Sequence, residues 1–193
     1  MTHETKASLL ARGAALMARF CAANALEVPQ LTIVKREGWS FDACAYYRPV
    51  EVTICVEKCA AIGVAGMAWS FPGHSTDRTP YGVIAHELGH HADWSRSERK
   101  GRYFGDFSIA MRARCAEAPL TSYCPNDAEW FAEMFRLFVT NPDLLHQLRP
   151  RTFRDLLGTG FVPVFDDPWY ARLADAPERT VQAIINKLAP KRR

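Results

Sequence analysis

The stretch YGVIAHELGHHADW, residues 81–94, constrains this chain more than any other part of it. His86, Glu87, His90, His91 and Asp93 fall close together, directly after Pro80. The run predicts a helix over 81–95, and that helix must find surroundings for five titratable groups. Residues i and i+4 share one face of an α-helix, about 6 Å apart along the axis. His86 and His90 have that spacing, so their imidazoles can turn nitrogens toward one ion. Glu87 lies about 100° around the helix from His86, where it can flank an ion without binding it. The bland alternative is a polar helix face with exposed histidines.

Context favours the ion. Val83, Ile84 and Leu88 give the helix an apolar side for burial. Gly89 costs about 1 kcal/mol in a helix interior relative to alanine, which makes sense if something packs closely against that turn. Zinc suits imidazole ligands and tetrahedral geometry. A carboxylate beside it can take a proton from water whose pKa the metal has lowered. His86-Glu87-x-x-His90 is thus the His-Glu-x-x-His pattern of zinc metallopeptidases.

A third protein ligand is needed. His91 points about 100° away from His90 and is a poor choice. Asp93 is too far along the axis to share the ion. It either accepts the second ring proton of His90 or is a surface residue near a helix end. The better source is NDAEWFAEMFRLF, residues 126–138, where Glu129 and Glu133 share one face of an otherwise greasy helix. Unpaired carboxylates are costly to bury. In one reading, one acid binds zinc and the other orients a histidine. In the other, the acids form a solvated stripe with Glu133 paired to Arg136. The upstream motif favours the first.

HELGHH followed by SYCPNDAEWFAEMFR resembles the zincin-fold metallopeptidases of the anthrax lethal factor type. The resemblance covers roughly residues 80–140. It implies Glu129 as the third zinc ligand, Glu133 as the residue supporting the site, and Asn126 as the start of the second motif. It also implies a tyrosine ahead of that helix that stabilises the oxyanion. Tyr123 is the nearest match, one residue closer to Glu129 than the family pattern has it, with Tyr103 as the fallback.

The rest of the chain predicts a single α+β domain over residues 1–193. It should have a small mixed sheet in the N-terminal third, then the active-site helix and a mostly helical remainder, and the resemblance implies that it is zincin-like. Residues 5–26 read as an amphipathic helix ended by Pro29, and QLTIVKR, ACAYYRP and EVTICVEK as strands. GMAWSF suggests a short edge strand that could receive a substrate peptide. Further helices are expected over 107–117, from Asn126, from Asn141–Pro142, over RTFRDLL to Gly158, and over ERTVQAIINKL. The late run FVPVFDDPWYARLADAP reads as a core-capping strap or a cleft wall.

A net charge of +3 and a lone basic tail at residues 191–193 argue against a nucleic-acid surface. Arg12 and Arg19 interrupt the early apolar runs, so neither a signal sequence nor a membrane span fits. The six cysteines are expected reduced, mostly in the core of a cytoplasmic protein. Cys55 and Cys59 have the spacing of a metal half-site without a second pair to complete it.

The expectation is a zinc-dependent hydrolase acting on a peptide or protein substrate. Its rival is a non-catalytic zinc-binding adaptor that keeps the fold. That would need a fourth protein ligand such as His91 or Cys124 to close the shell.

Overall fold

A computed structural model describes residues 5–61, 77–101, 105–120, 124–162 and 164. Helix α1, Lys6–Ala23, opens on a reciprocal cap: Ser8 N–H donates to the Thr5 hydroxyl and Thr5 N–H to the Ser8 hydroxyl. Its buried stripe of Leu9, Leu16, Met17 and Phe20 repeats at helical spacing. The helix stops at Ala23, three residues before the expected end, and Ala25 takes a left-handed conformation with φ 52°.

Three strands follow: β1 Gln30–Ile33, β2 Ala45–Arg48 and β3 Glu51–Ile54. The order is β1-β3-β2, with β1 parallel and β2 antiparallel to β3. The sheet is therefore mixed, but each strand has four residues and is shorter than the apolar runs suggested. The run after β3 turns away because Val56–Lys58 winds into a 3-10 turn, closed by Lys58 N–H on the Cys55 carbonyl. After β1, the Arg36 amide pairs with the Glu57 carboxylate instead of a strand.

Helix α2, Pro80–Arg96, starts where the sequence indicates, with Thr79 as cap and Pro80 in the first turn. It is not amphipathic in the expected sense: residues 80–93 are buried all round. It packs chiefly against α4, Asp127–Thr140, then α1, and also touches β2. Gly89 explains how α4 comes so close, since a Cβ there would lie 2.7 Å from the Ala132 Cα.

Helix α3 spans Phe107–Cys115, and left-handed Ala116 ends it before Glu117. Glu117 instead caps α6, Pro150–Gly158, accepting from the Arg151 and Thr152 amides. Helix α4, Asp127–Thr140, is capped by Asn126, and α5, Pro142–Leu148, by Asn141. Both starts agree with the sequence reading.

The core runs between α1, α2 and α4, where Phe20 meets Phe135 edge-on at 5.1 Å and Phe131 packs beside Phe135. Among the described residues this is an α+β protein of six α-helices and one small sheet. No described helix is long and apolar enough to cross a membrane. The expected edge strand GMAWSF and final helix ERTVQAIINKL lie outside the described residues, as does all but the first part of the late strap.

Candidate metal centre

Helices α2 and α4 bring His86, His90 and Glu129 together. His86 and His90 stand one turn apart on α2, their ring centroids 4.9 Å from each other. Glu129 comes from the first turn of α4, where Asn126 accepts its amide proton. Its Oε2 lies 3.0 Å from His86 Nε2 and 3.5 Å from His90 Nε2. One donor atom from each residue falls within 4.8 Å of the other two, and this is the one such group of three among the described residues. Ligands about 2.05 Å from a tetrahedral ion stand about 3.3 Å apart. The separations of 3.0 and 3.5 Å bracket that value, so the donor set could hold a metal ion.

Glu133, one turn along α4, supports the site from behind. Its Oε1 accepts a hydrogen bond from His86 Nδ1 at 2.7 Å, which directs Nε2 toward Glu129. The Arg136 guanidinium grips the same carboxylate through Nε at 3.2 Å and Nη2 at 3.1 Å. Glu133 both orients a histidine and pairs with Arg136, because a carboxylate has acceptor sites enough for an imidazole and a guanidinium together, but it is buried, so the solvated stripe is not found. Arg136 also reaches Asp77, 4.0 Å away, and Asp77 accepts the Thr79 amide at the start of α2. A buried polar chain thus joins the cap of α2 to His86.

Electrostatics follow from this crowding. Burial alone would lower the pKa of His86, but hydrogen bonds to Glu129 and Glu133 raise it to about 10. Burial pushes the Glu133 carboxyl up, and Arg136 with His86 outweighs it, bringing the pKa down to about 2. Glu129 is likewise held well below the usual carboxylate range by the two histidines, against its own burial. Glu87 is the exception. Burial raises its pKa and the neighbouring histidines only partly oppose that. A carboxylate so raised is a better proton acceptor near neutral pH than an ordinary one.

His91 does not join the group. Its Nε2 donates to the Glu27 carbonyl at 2.8 Å, and its Nδ1 accepts the Tyr47 hydroxyl proton at 3.1 Å. It fastens α2 to β2 and to the segment before β1. Asp93 is wholly buried, not a surface residue. Its carboxylate accepts from Ser108 N at 2.7 Å, the Ser108 hydroxyl at 3.2 Å and Gly105 N at 3.3 Å, so it anchors the start of α3. Burial raises its pKa while those bonds and the charge of His90 lower it.

Cys55, Cys59 and Cys124 take no part in a three-donor cluster among the described residues, and none of the six cysteines is in a disulfide. Tyr123 and Tyr103 both lie outside the described residues. Sequence reasoning missed Asp77 and the work of Arg136 beyond Glu133. A buried arginine on an apolar helix was the available signal. No family model, curated protein or solved structure matches this chain.

Proposed function

We propose that this chain is a zinc-dependent peptide hydrolase with a zincin-like core. The observation that supports it most is that one donor atom each from His86, His90 and Glu129 lies within 4.8 Å of the others, with Glu129 Oε2 3.0 Å and 3.5 Å from the two Nε2 atoms and buried Glu87 next to His86 on the same helix. In this reading His86, His90 and Glu129 hold the ion. When bound, zinc acidifies water and polarises the scissile carbonyl.

Glu87 takes the proton from the attacking water and returns it to the leaving amine. Its raised pKa favours that exchange. Glu133 fixes the His86 ring through Nδ1, and Arg136 keeps Glu133 ionised and in place. Tyr123, from the resemblance, would donate a hydrogen bond to the developing oxyanion. A peptide or protein substrate would lie between the sheet and the later helices, pairing with an edge strand.

The alternative of a non-catalytic zinc-binding adaptor needs a fourth protein ligand. His91 is committed to Tyr47 and Glu27, which weighs against it.

The test is elemental analysis of the purified protein, then cleavage of a peptide library by the wild type and by Glu87→Gln. The expected result is one zinc in both proteins, with cleavage falling by about 10²–10⁴-fold in the variant. Undiminished cleavage by Glu87→Gln would remove Glu87 as the base. Metal retention by Glu129→Ala equal to wild type would remove the proposed centre.

A further inference from the structure

Two of the cysteines, Cys44 and Cys59, meet at the end of the β2–β3 pair. Cys44 stands just before β2, and its carbonyl accepts the Cys55 amide at 2.9 Å, extending the β2–β3 pairing by one step. The 3-10 turn over Val56–Lys58 then folds the chain back, so that Cys59 returns to Cys44. The Cys44 thiol donates to the carbonyl of Lys58, the residue before Cys59, at 3.4 Å, the Cys59 thiol reaches the Cys55 carbonyl at 3.6 Å, and the two side chains are close enough to share a hydrogen bond. Both are fastened by backbone. The Cys59 amide donates to Val56 O at 3.1 Å, and the next amide, Ala60, donates to Arg78 O at 2.7 Å. From the far side, Arg78 Nη2 approaches the Cys44 sulfur at 3.5 Å.

We propose that Cys44 and Cys59 form a reversible oxidation site, in which a hydroperoxide converts the two thiols to a disulfide. The surroundings divide the labour. The Cys59 hydrogen bond and the Arg78 guanidinium, against the opposing effect of burial, lower the pKa of Cys44, so it gives up its proton more readily than an ordinary thiol. The same hydrogen bond, together with burial, holds Cys59 well above the usual thiol range, so it keeps its proton.

In the first step the Cys44 thiolate attacks one peroxide oxygen. An S–O bond forms, the O–O bond breaks, and hydroxide or alkoxide leaves with the electron pair. Cys44 becomes a sulfenic acid and the peroxide is reduced by two electrons. In the second step the Cys59 sulfur attacks the Cys44 sulfur. The S–S bond forms, the S–O bond breaks, and the departing oxygen takes the Cys59 proton and leaves as water. Cys44 and Cys59 are 6% and 3% exposed, which suits a water-sized oxidant rather than a protein one.

Exposure alone would select a different residue. Cys124 is the half-buried cysteine, whereas Cys21, Cys55 and Cys115 are buried. Burial raises the pKa of Cys21 to about 11 and also raises that of Cys115.

The experiment treats the full-length protein with a few equivalents of hydrogen peroxide, blocks remaining thiols with N-ethylmaleimide and maps peptides by mass spectrometry. The expected product is a linked peptide pair joining Cys44 to Cys59, lighter by two hydrogens and restored by dithiothreitol. In Cys59→Ser, Cys44 should accumulate as a sulfenic acid that dimedone traps. Since the decisive readout is on wild-type protein, a variant that misfolds does not rescue the idea. Oxidation of Cys124 while Cys44 and Cys59 remain open to alkylation would overturn it. So would peroxide leaving both thiols untouched.

Discussion

Arginine meets carboxylate in two contrasting settings. Arg136 and Glu133 are 1% and 0% exposed in the seam between α2 and α4, with His86 as a third member. Arg114 and Asp155 link α3 to α6 at the surface, 50% and 27% exposed. Their hydrogen bonds look alike, at 3.1 Å and 2.8 Å. What differs is the solvent. A surface pair gives back most of what it gains, because water would serve each partner nearly as well. A buried pair leaves a bare charge in the core when one member goes. The seam is therefore committed to its polar groups, and the α3–α6 contact is not.

The sharpest way to break this contrast is a pair of matched substitutions. Arg136→Met should cost about 3–5 kcal/mol, by leaving Glu133 buried without its guanidinium. Arg114→Met should cost about 0–1 kcal/mol. Urea unfolding of both variants without metal measures the difference. Similar losses would show that Arg136 is no more committed than a surface residue.

The pH dependence separates the two regions further. In metal-free protein His86 is raised to about 10 from an ordinary 6.5. A group raised on folding stabilises fully below its unfolded pKa and loses that contribution as pH rises through the folded value. The window for His86 is therefore roughly pH 6.5 to 10, at up to about 1.4 kcal/mol per pH unit. Glu133 has the opposite sign. Its lowered pKa stabilises above the ordinary carboxylate range and fails toward about pH 2. The melting temperature of the metal-free wild type should fall from pH 7 to 9 relative to His86→Gln. Zinc, competing for the same nitrogen, should flatten the slope. Parallel curves for the two proteins would mean that His86 carries no extra proton.

What the sequence revealed depended on how local each signal is. The starts of α4 and α5 were legible because Asn126 and Asn141 cap amides only three residues on, and that of α2 because Pro80 marks it. His86 and His90 were legible because helical spacing fixes which side chains share a face, whereas the choice of Glu129 over Glu133 came from the resemblance. Strand ends were not, since β-branched composition continues past the last paired residue and the 3-10 turn absorbs the rest. His91 and Asp93 were hard for a different reason. Their partners, Tyr47 and Glu27 for one and Gly105 and Ser108 for the other, belong to remote segments. Within one helical turn their contacts are long, Ser95 to His91 and Ser97 to Asp93 at 3.5 Å, and do not report the remote partners.

Glycine gives a smaller test of the same seam. Gly89 and Gly158 both lie in helices, α2 and α6, where alanine has the better intrinsic propensity by about 1 kcal/mol at interior positions. At Gly158 an added Cβ meets nothing within 4 Å, so Gly158→Ala should be neutral or gain up to about 0.5 kcal/mol at this helix end. At Gly89 the same methyl would sit 2.7 Å from the Ala132 Cα, and α4 backbone cannot rotate out of the way as a side chain could. Overpacking of about 1–3 kcal/mol should outweigh the propensity gain, for a net loss of roughly 1–2 kcal/mol. The strain has a direction as well, because pushing α4 outward carries Glu129 away from both imidazoles. Gly89→Ala should therefore weaken zinc retention in a chelator competition, while Gly158→Ala should not. If Gly89→Ala stabilised the fold and retained zinc as wild type does, the close approach of the two helices would not be what sets the metal centre.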